Sequence, residues 1–215
     1  MDKESSSRRP IASRDSGWAK RTAAFLAKKG FTPNFISILS IAFAFISLLA
    51  FFLDYKAIGN HIVNMTLVIV GVQGRLIMNL LDGMVAVEHN KKSPVGGIFN
   101  EVPDRITDSL ILFGVGLLAK QLPYGMDLAY IAIALSIATA YIRTLGASLN
   151  CGHHFLGPMA KQHRMALIIV GCIIGTWYVP VFYYLLIVMN IGLVITCYRR
   201  LAKVYTLLQN GNVNP

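Results

Sequence analysis

The chain has 215 residues, of which 55% are hydrophobic and only 14% charged, with a mean hydropathy of +0.57. That composition excludes an ordinary water-soluble domain, whose surface needs far more charge. Twenty Lys and Arg against ten Asp and Glu leave +10; because the basic residues flank apolar runs, they indicate a lipid surface and not nucleic acid as partner.

Residues 1–32 hold eight basic side chains and no apolar run before the first long apolar stretch, so the segment reads as a cytosolic tail ahead of an uncleaved anchor. Between Arg14 and Lys29, Trp18, Phe25 and Leu26 recur at i, i+7 and i+8, flanked by Lys20, Arg21, Lys28 and Lys29. This spacing predicts a short amphipathic helix on the anionic cytoplasmic leaflet, with a solvated basic tail as the alternative.

A helix needs about 20 apolar residues to cross a hydrocarbon core of about 30 Å. Six stretches qualify as candidate spans: 33–53, 62–81, 98–119, 128–149, 165–179 and 181–198. Only Pro180 separates the last two; one helix of that combined length would run about 51 Å, so a tight hairpin is expected there. Six spans with both termini cytoplasmic leave fifteen basic residues inside and only Lys56 and Lys120 outside, as short-loop charge bias requires. The expected fold is therefore all-α: a basic tail with its interfacial helix (1–32), a six-helix membrane domain (33–203) and a C-terminal tail (204–215), disordered over 210–215. Cys151, Cys172 and Cys197 have no paired spacing and read as buried thiols. Trp177, Tyr178, Tyr183 and Tyr184 at the last hairpin read as interfacial anchors.

Charges inside a span cost about 2.5–3.5 kcal/mol each at mid-membrane, so they need partners, water or a function. The third span opens with Glu101, Asp104, Arg105 and Asp108. As a helix, Asn100, Asp104 and Asp108 stack at i, i+4 and i+8, with Glu101 and Arg105 on the next row. At 1.5 Å per residue, Asp104 lies about 9 Å and Asp108 about 15 Å below Ile98, so the stripe descends from the cytosolic rim and implies a polar cleft. The second span ends in Asn79-Leu80-Leu81-Asp82-Gly83, which puts Asn79 and Asp82 on one face at the same level. Carboxylate and amide oxygens without His or Cys suit Mg²⁺, Mn²⁺ or Ca²⁺. Buried ion pairs of Asp104 or Asp108 with Arg105 or Arg75 are the structural alternative.

The same residues resemble the signature of the CDP-alcohol phosphatidyltransferase family, Asp-x-x-Asp-Gly-x-x-Ala-Arg, eight residues, then Gly-x-x-x-Asp-x-x-x-Asp. Here it reads Asn79-x-x-Asp82-Gly83-x-x-Ala86-Val87, eight residues, Gly96-x-x-x-Asn100-x-x-x-Asp104, so the spacing is complete and five of the eight positions match. Thr32-Pro33-Asn34-Phe35-Ile36-Ser37 resembles the family's Thr-Pro-Asn-x-Ile-Thr segment, and 157–164 its basic stretch before the fifth helix.

The resemblance implies an inner-membrane transferase that moves a phosphatidyl group from a CDP-lipid, CDP-diacylglycerol in bacteria, to a hydroxyl acceptor with release of CMP. It implies a Mg²⁺ or Mn²⁺ ion on Asn79, Asp82, Asn100, Glu101 and Asp104, with Glu101 or Asp108 making up charge lost at the two asparagines. Asp104 is the expected base, and Asp108 the second candidate if the pair slides by one turn. Thr32, Pro33, Asn34, Asp82, Gly83, Ala86 and Gly96 are expected at the CDP group, and Lys161 and Arg164 at the acceptor. The family is often dimeric, so a homodimer is compatible with the chain. The rivals are a family member that binds CDP-lipid without turnover, suggested by Asn79, Val87 and Asn100, and an inner-membrane cation carrier. His153 and His154 receive no role.

Overall fold

A computed structural model of the chain describes residues 12–211. Among them are one short 3-10 turn (Ala12–Asp15) and seven α-helices: α1 (Gly17–Lys28), α2 (Pro33–Tyr55), α3 (His61–Glu88), α4 (Gly96–Ala119), α5 (Gly125–Ser148), α6 (Lys161–Gly175) and α7 (Val181–Gln209), with no strand. A helix stands at each of the six expected spans, and the all-α expectation holds. Four of the helices, α2, α3, α5 and α7, are long and apolar enough to cross a membrane. α4 carries four charged residues within its first 13, and the 15 residues of α6 extend only about 22 Å.

The observed boundaries differ from the expected ones in a way that matters for the site. α3 continues seven residues past Leu81, so Asp82, Gly83 and Ala86 lie in the body of the helix and not at its end. Polar side chains punctuate a hydropathy plot without interrupting backbone hydrogen bonding. α4 starts at Gly96, so Gly96 and Gly97 are helical, and it runs through Pro103. α7 continues to Gln209, past the expected end at Tyr198, while the expected disordered end lies from 212 onward outside the described residues.

The described residues divide into two compact units, 12–117 and 118–211. In the first, α2 enters through a cap typical of helix starts. Thr32 accepts a hydrogen bond from the Phe35 amide at 3.2 Å and Pro33 occupies the first turn, where its missing N–H costs nothing. α2 and α3 then pack closely because α3 offers glycines: at Gly71 a Cβ would meet the Phe43 carbonyl oxygen at 2.6 Å and the Ser47 amide nitrogen at 2.9 Å. Ser47 also donates to the Val68 carbonyl at 3.1 Å.

α1 lies against α3 through its small face, with Ala19 and Ala23 fully buried in a cluster with Leu80, Leu81, Met84 and Val85. Trp18 and Phe25 stay exposed, whereas Leu26 packs on the cluster, so the expected Trp18/Phe25/Leu26 stripe is split between two faces. Leu26 sits about 100° around the helix from Phe25, which is enough to change its environment.

In the second unit, Arg200 of α7 holds α5 and the loop before α6 by donating to the Thr139 carbonyl at 2.7 Å and the Leu156 carbonyl at 2.9 Å. Gly157 sits at φ +108° over Thr196, whose hydroxyl accepts from the Met159 amide at 3.0 Å. α6 and α7 form the expected tight hairpin, Gly171 and Gly175 admitting Leu185 and Phe182. The three cysteines are free, with Cys151 and Cys172 buried.

Because the atoms nearest Gly71 are backbone, Gly71→Ala must push α2 away from α3. Thermal unfolding in detergent should show a loss of about 1–3 kcal/mol, and an unchanged midpoint would mean the contact can relax.

Candidate active site

On α3, Arg75, Asn79, Asp82, Gly83 and Ala86 share one stripe, since steps of three, four and seven residues return to the same face. On α4, Gly96, Asn100, Asp104 and Asp108 do the same. The two stripes meet at two levels. Asn79 donates its side-chain amide to Asp104 Oδ1. One turn further along each helix, Arg75 donates Nη2 to Asp108 Oδ1 at 2.5 Å and Nε to the Thr107 hydroxyl at 2.9 Å. Both levels are four residues apart on both helices, so α3 and α4 run antiparallel with their polar stripes in register. Carried one turn outward, the same step sets Gly83 level with Asn100.

Burial follows depth along α4. Asn100 is exposed, Asp104 is 7% exposed and Asp108 is 1% exposed. The expected descent of the stripe from rim to interior is therefore present. Asp82, 5% exposed, accepts a hydrogen bond of 2.5 Å from the hydroxyl of Ser37 on α2. That bond fixes one carboxylate oxygen toward α2. Asp104 Oδ1 lies 3.5 Å from Arg75 Nη2, and its Oδ2 lies 3.6 Å from Arg105 Nη2. Glu101 turns to Arg105 at 3.9 Å, one turn along the same helix.

Asn79 thus meets Asp104 and Arg75 meets Asp108 between α3 and α4, while Asp82 is turned to Ser37 of α2. Asn100 and Glu101 lie farther out, on the exposed first turns. Asp108, the second candidate for base, is in the ion pair with Arg75 that was the structural alternative for this stripe, and Asp104 lies near Arg75 and Arg105 as well. Thr32 serves as the α2 cap, and Asn34 reaches Ser93 of the α3–α4 connection at 3.5 Å. Around Gly96 and Gly97 an added Cβ would meet nothing within 4 Å, so backbone there is approachable. Lys161 and Arg164 open α6 in the other unit; Arg164 is 3% exposed and donates Nη1 to the Met159 carbonyl at 2.8 Å, so part of its donor capacity shapes the loop before α6.

Ser37 and Thr107 were missed as site residues. Ser37 had a signal, since it stands in the segment resembling the family's Thr-Pro-Asn-x-Ile-Thr, where a hydroxyl recurs. Thr107 had none, because a helical threonine is unremarkable until a guanidinium faces it.

No family model matches the chain. It is 26% identical over 163 residues to the inner membrane protein YnbA of Escherichia coli, covering 76% of this chain and 74% of that one. It is 25% identical over 154 residues to the archaetidylinositol phosphate synthase of Pyrococcus horikoshii, covering 71% of this chain and 74% of that one. The fold is shared with the phosphatidylinositol phosphate synthase of Mycobacterium tuberculosis solved with CDP-DAG bound, at a TM-score of 0.70 and 20% identity over 89% of this chain and 95% of that one. The same enzyme in complex with manganese and citrate matches at 0.70 and 19%, covering 87% and 89%. The chain is thus similar in sequence to an archaetidylinositol phosphate synthase and shares its fold with a phosphatidylinositol phosphate synthase. Against the signature it resembles, the chain has amide or apolar side chains at three of eight positions.

Removing Arg75 takes the ion-pair partner from the buried Asp108 carboxylate; breaking a buried pair on one side costs about 3–5 kcal/mol, whereas removing both charges together often costs far less. Arg75→Met should therefore unfold at much lower temperature in detergent than Arg75→Met combined with Asp108→Leu. Equal losses would show that the pair is not coupled.

Proposed function

We propose that the chain is a membrane transferase that moves a phosphatidyl group from CDP-diacylglycerol to a hydroxyl acceptor and releases CMP. The observation that carries this is the contact of Asn79 with Asp104, which joins the two halves of the signature on one buried face. Support comes from the archaetidylinositol phosphate synthase relative and from the fold shared with an enzyme solved with CDP-DAG.

Asp82 and Asp104 would hold a divalent ion, Mg²⁺ or Mn²⁺. Their oxygens are hard donors of the right type; among the described residues no three His, Cys, Asp or Glu side chains converge, and the amide oxygens of Asn79 and Asn100 would complete the set. A related enzyme solved with manganese points the same way. When bound, the ion neutralises charge on the diphosphate.

Asp104 takes the proton of the acceptor hydroxyl. The acceptor oxygen bonds to the lipid-bearing phosphorus, the bond from that phosphorus to the bridging oxygen breaks, and CMP leaves with that electron pair. Asp104 is better suited to this than Asp108, whose carboxylate is more deeply buried and held by Arg75. Ser37 orients Asp82. Thr32, Pro33 and Asn34 secure the start of α2 beside the α3–α4 connection, and Gly83, Ala86 and Gly96 leave room for the CDP group. Lys161 and Arg164 offer charge to an anionic acceptor.

The topology that fits this chemistry has α2–α7 crossing the inner membrane, both termini cytoplasmic, and α1 lying on the inner leaflet with Trp18 and Phe25 toward lipid. α4 then hides its charges against α3, and α6 crosses as the short arm of a hairpin. A reporter fused to the C-terminus should read cytoplasmic; a periplasmic signal would break the six-span arrangement.

The asparagines at positions 79 and 100 favour one competing reading, a member that binds CDP-lipid without turnover. Release of CMP from CDP-diacylglycerol by purified protein with Mg²⁺ or Mn²⁺, across a panel of acceptors, separates the two. Turnover is expected, and it should fall by about 10²–10⁴ in Asp104→Asn with donor binding retained. Donor binding without CMP release for any acceptor would establish the competing reading.

A further inference from the structure

We propose that Arg75 is the resident cation of this site and limits it to one divalent ion per chain, an inference that rests on the metal-dependent transfer proposed above. A four-aspartate signature carries four negative charges, which two divalent ions neutralise. Two of the four are Asn79 and Asn100 here, so the signature acids that remain, Asp82 and Asp104, match one ion.

A second ion would have to draw on Glu101, which turns to Arg105 at 3.9 Å, or on the next carboxylate down the same stripe, Asp108. That place is taken. Arg75 is 0% exposed, its Nη2 lies 2.5 Å from Asp108 and 3.5 Å from Asp104, and its Nε is fixed on Thr107. Arginine suits the position because it is permanently charged, weakly hydrated and presents its donors in a rigid fork. A metal ion sharing Asp104 and Asp108 would sit against that guanidinium, and in a low-dielectric interior the two cations repel strongly.

The guanidinium also does something an ion does not. Its Nη1 is buried with no hydrogen-bond partner among the described residues, so the fork is aligned by Asp108, Asp104 and the Thr107 hydroxyl, all parts of the protein, and keeps Asp104 Oδ1 oriented whether or not substrate is present. Arg75 is completely buried and so reaches no substrate itself. It is a positioning residue, acting through Asp104.

The test is Mn²⁺ alone, titrated into purified full-length protein in detergent and counted by electron paramagnetic resonance. One ion per chain is expected. Two ions overturn the role of Arg75. No bound ion overturns it together with the metal-dependent reaction. One ion without CMP release overturns the proposed reaction and supports the occupancy.

Variants give the cause. Restoring acids with Asn79→Asp and Asn100→Asp should tighten Mn²⁺ by at least about tenfold, as added ligand charge does, and still count one ion. Adding Arg75→Met to that pair should raise the count to two. If the two Asn→Asp changes alone admit a second ion, Arg75 does not set the occupancy. Arg75→Lys keeps the charge and should keep one ion, with Asp104 less well oriented and the Mn²⁺ hyperfine lines broadened; a count of two in this variant would also overturn the proposal.

Discussion

A guanidinium inside a helix that faces hydrocarbon has to be neutralised where it stands, and most of this site is arranged around that requirement. Arg75 meets it by forking onto Thr107 and Asp108 of α4. Since the bonds are short and the medium is apolar, any sliding of α4 along α3 would expose an unpaired charge, at a cost far above that of a lost surface contact. The pair therefore sets the register of the two helices. One turn away, the same register delivers Asn79 to Asp104. The meeting of the two halves of the signature thus depends on a contact just outside it.

The second constraint is steric. Asp82 is useful only if its carboxylate is oriented, and the orienting hydroxyl belongs to another helix. Ser37 reaches it at 2.5 Å because α2 and α3 approach closely at Gly71 and Gly74, where Phe43 and Ser47 take the space a side chain would need. Small residues at a helix interface are how membrane proteins gain packing contacts when lipid is as apolar as the protein. The α2 cap at Thr32 and Pro33 then fixes the start of that helix beside the α3–α4 connection, through Asn34 and Ser93.

Divergence in the signature is coherent when viewed as charge. Asn79 gives up a carboxylate and gains an amide donor, which it spends on Asp104. An aspartate at position 79 would repel Asp104 unless a cation stood between them. Asn100 lies on the exposed outer turn, where losing a carboxylate costs the least in buried electrostatics. A four-acid site is held together by its ions; with two acids, this one is held together by hydrogen bonds and an arginine.

Hydropathy by itself determined where six of the helices stand, the α6–α7 hairpin and the all-α class, because those follow from local apolar length and the break at Pro180. Spacing of four residues likewise determined that Asn100, Asp104 and Asp108 share a face, since helix periodicity is a local property. What local pattern left open was how far helices run past polar residues: α3 passes through Asp82 to Glu88 because backbone hydrogen bonding is indifferent to side-chain polarity. It also left open which acid meets which cation. Asp104 and Asp108 are equivalent on a helical wheel, and only the tertiary register distinguishes them, putting Asp108 2.5 Å from Arg75 and Asp104 beside Asn79 and 3.5 Å from the same guanidinium. Ser37 and Thr107 belong to the same class of information. Their partners are 45 and 32 residues away in the chain, and a hydroxyl's function is decided by what folding places opposite it.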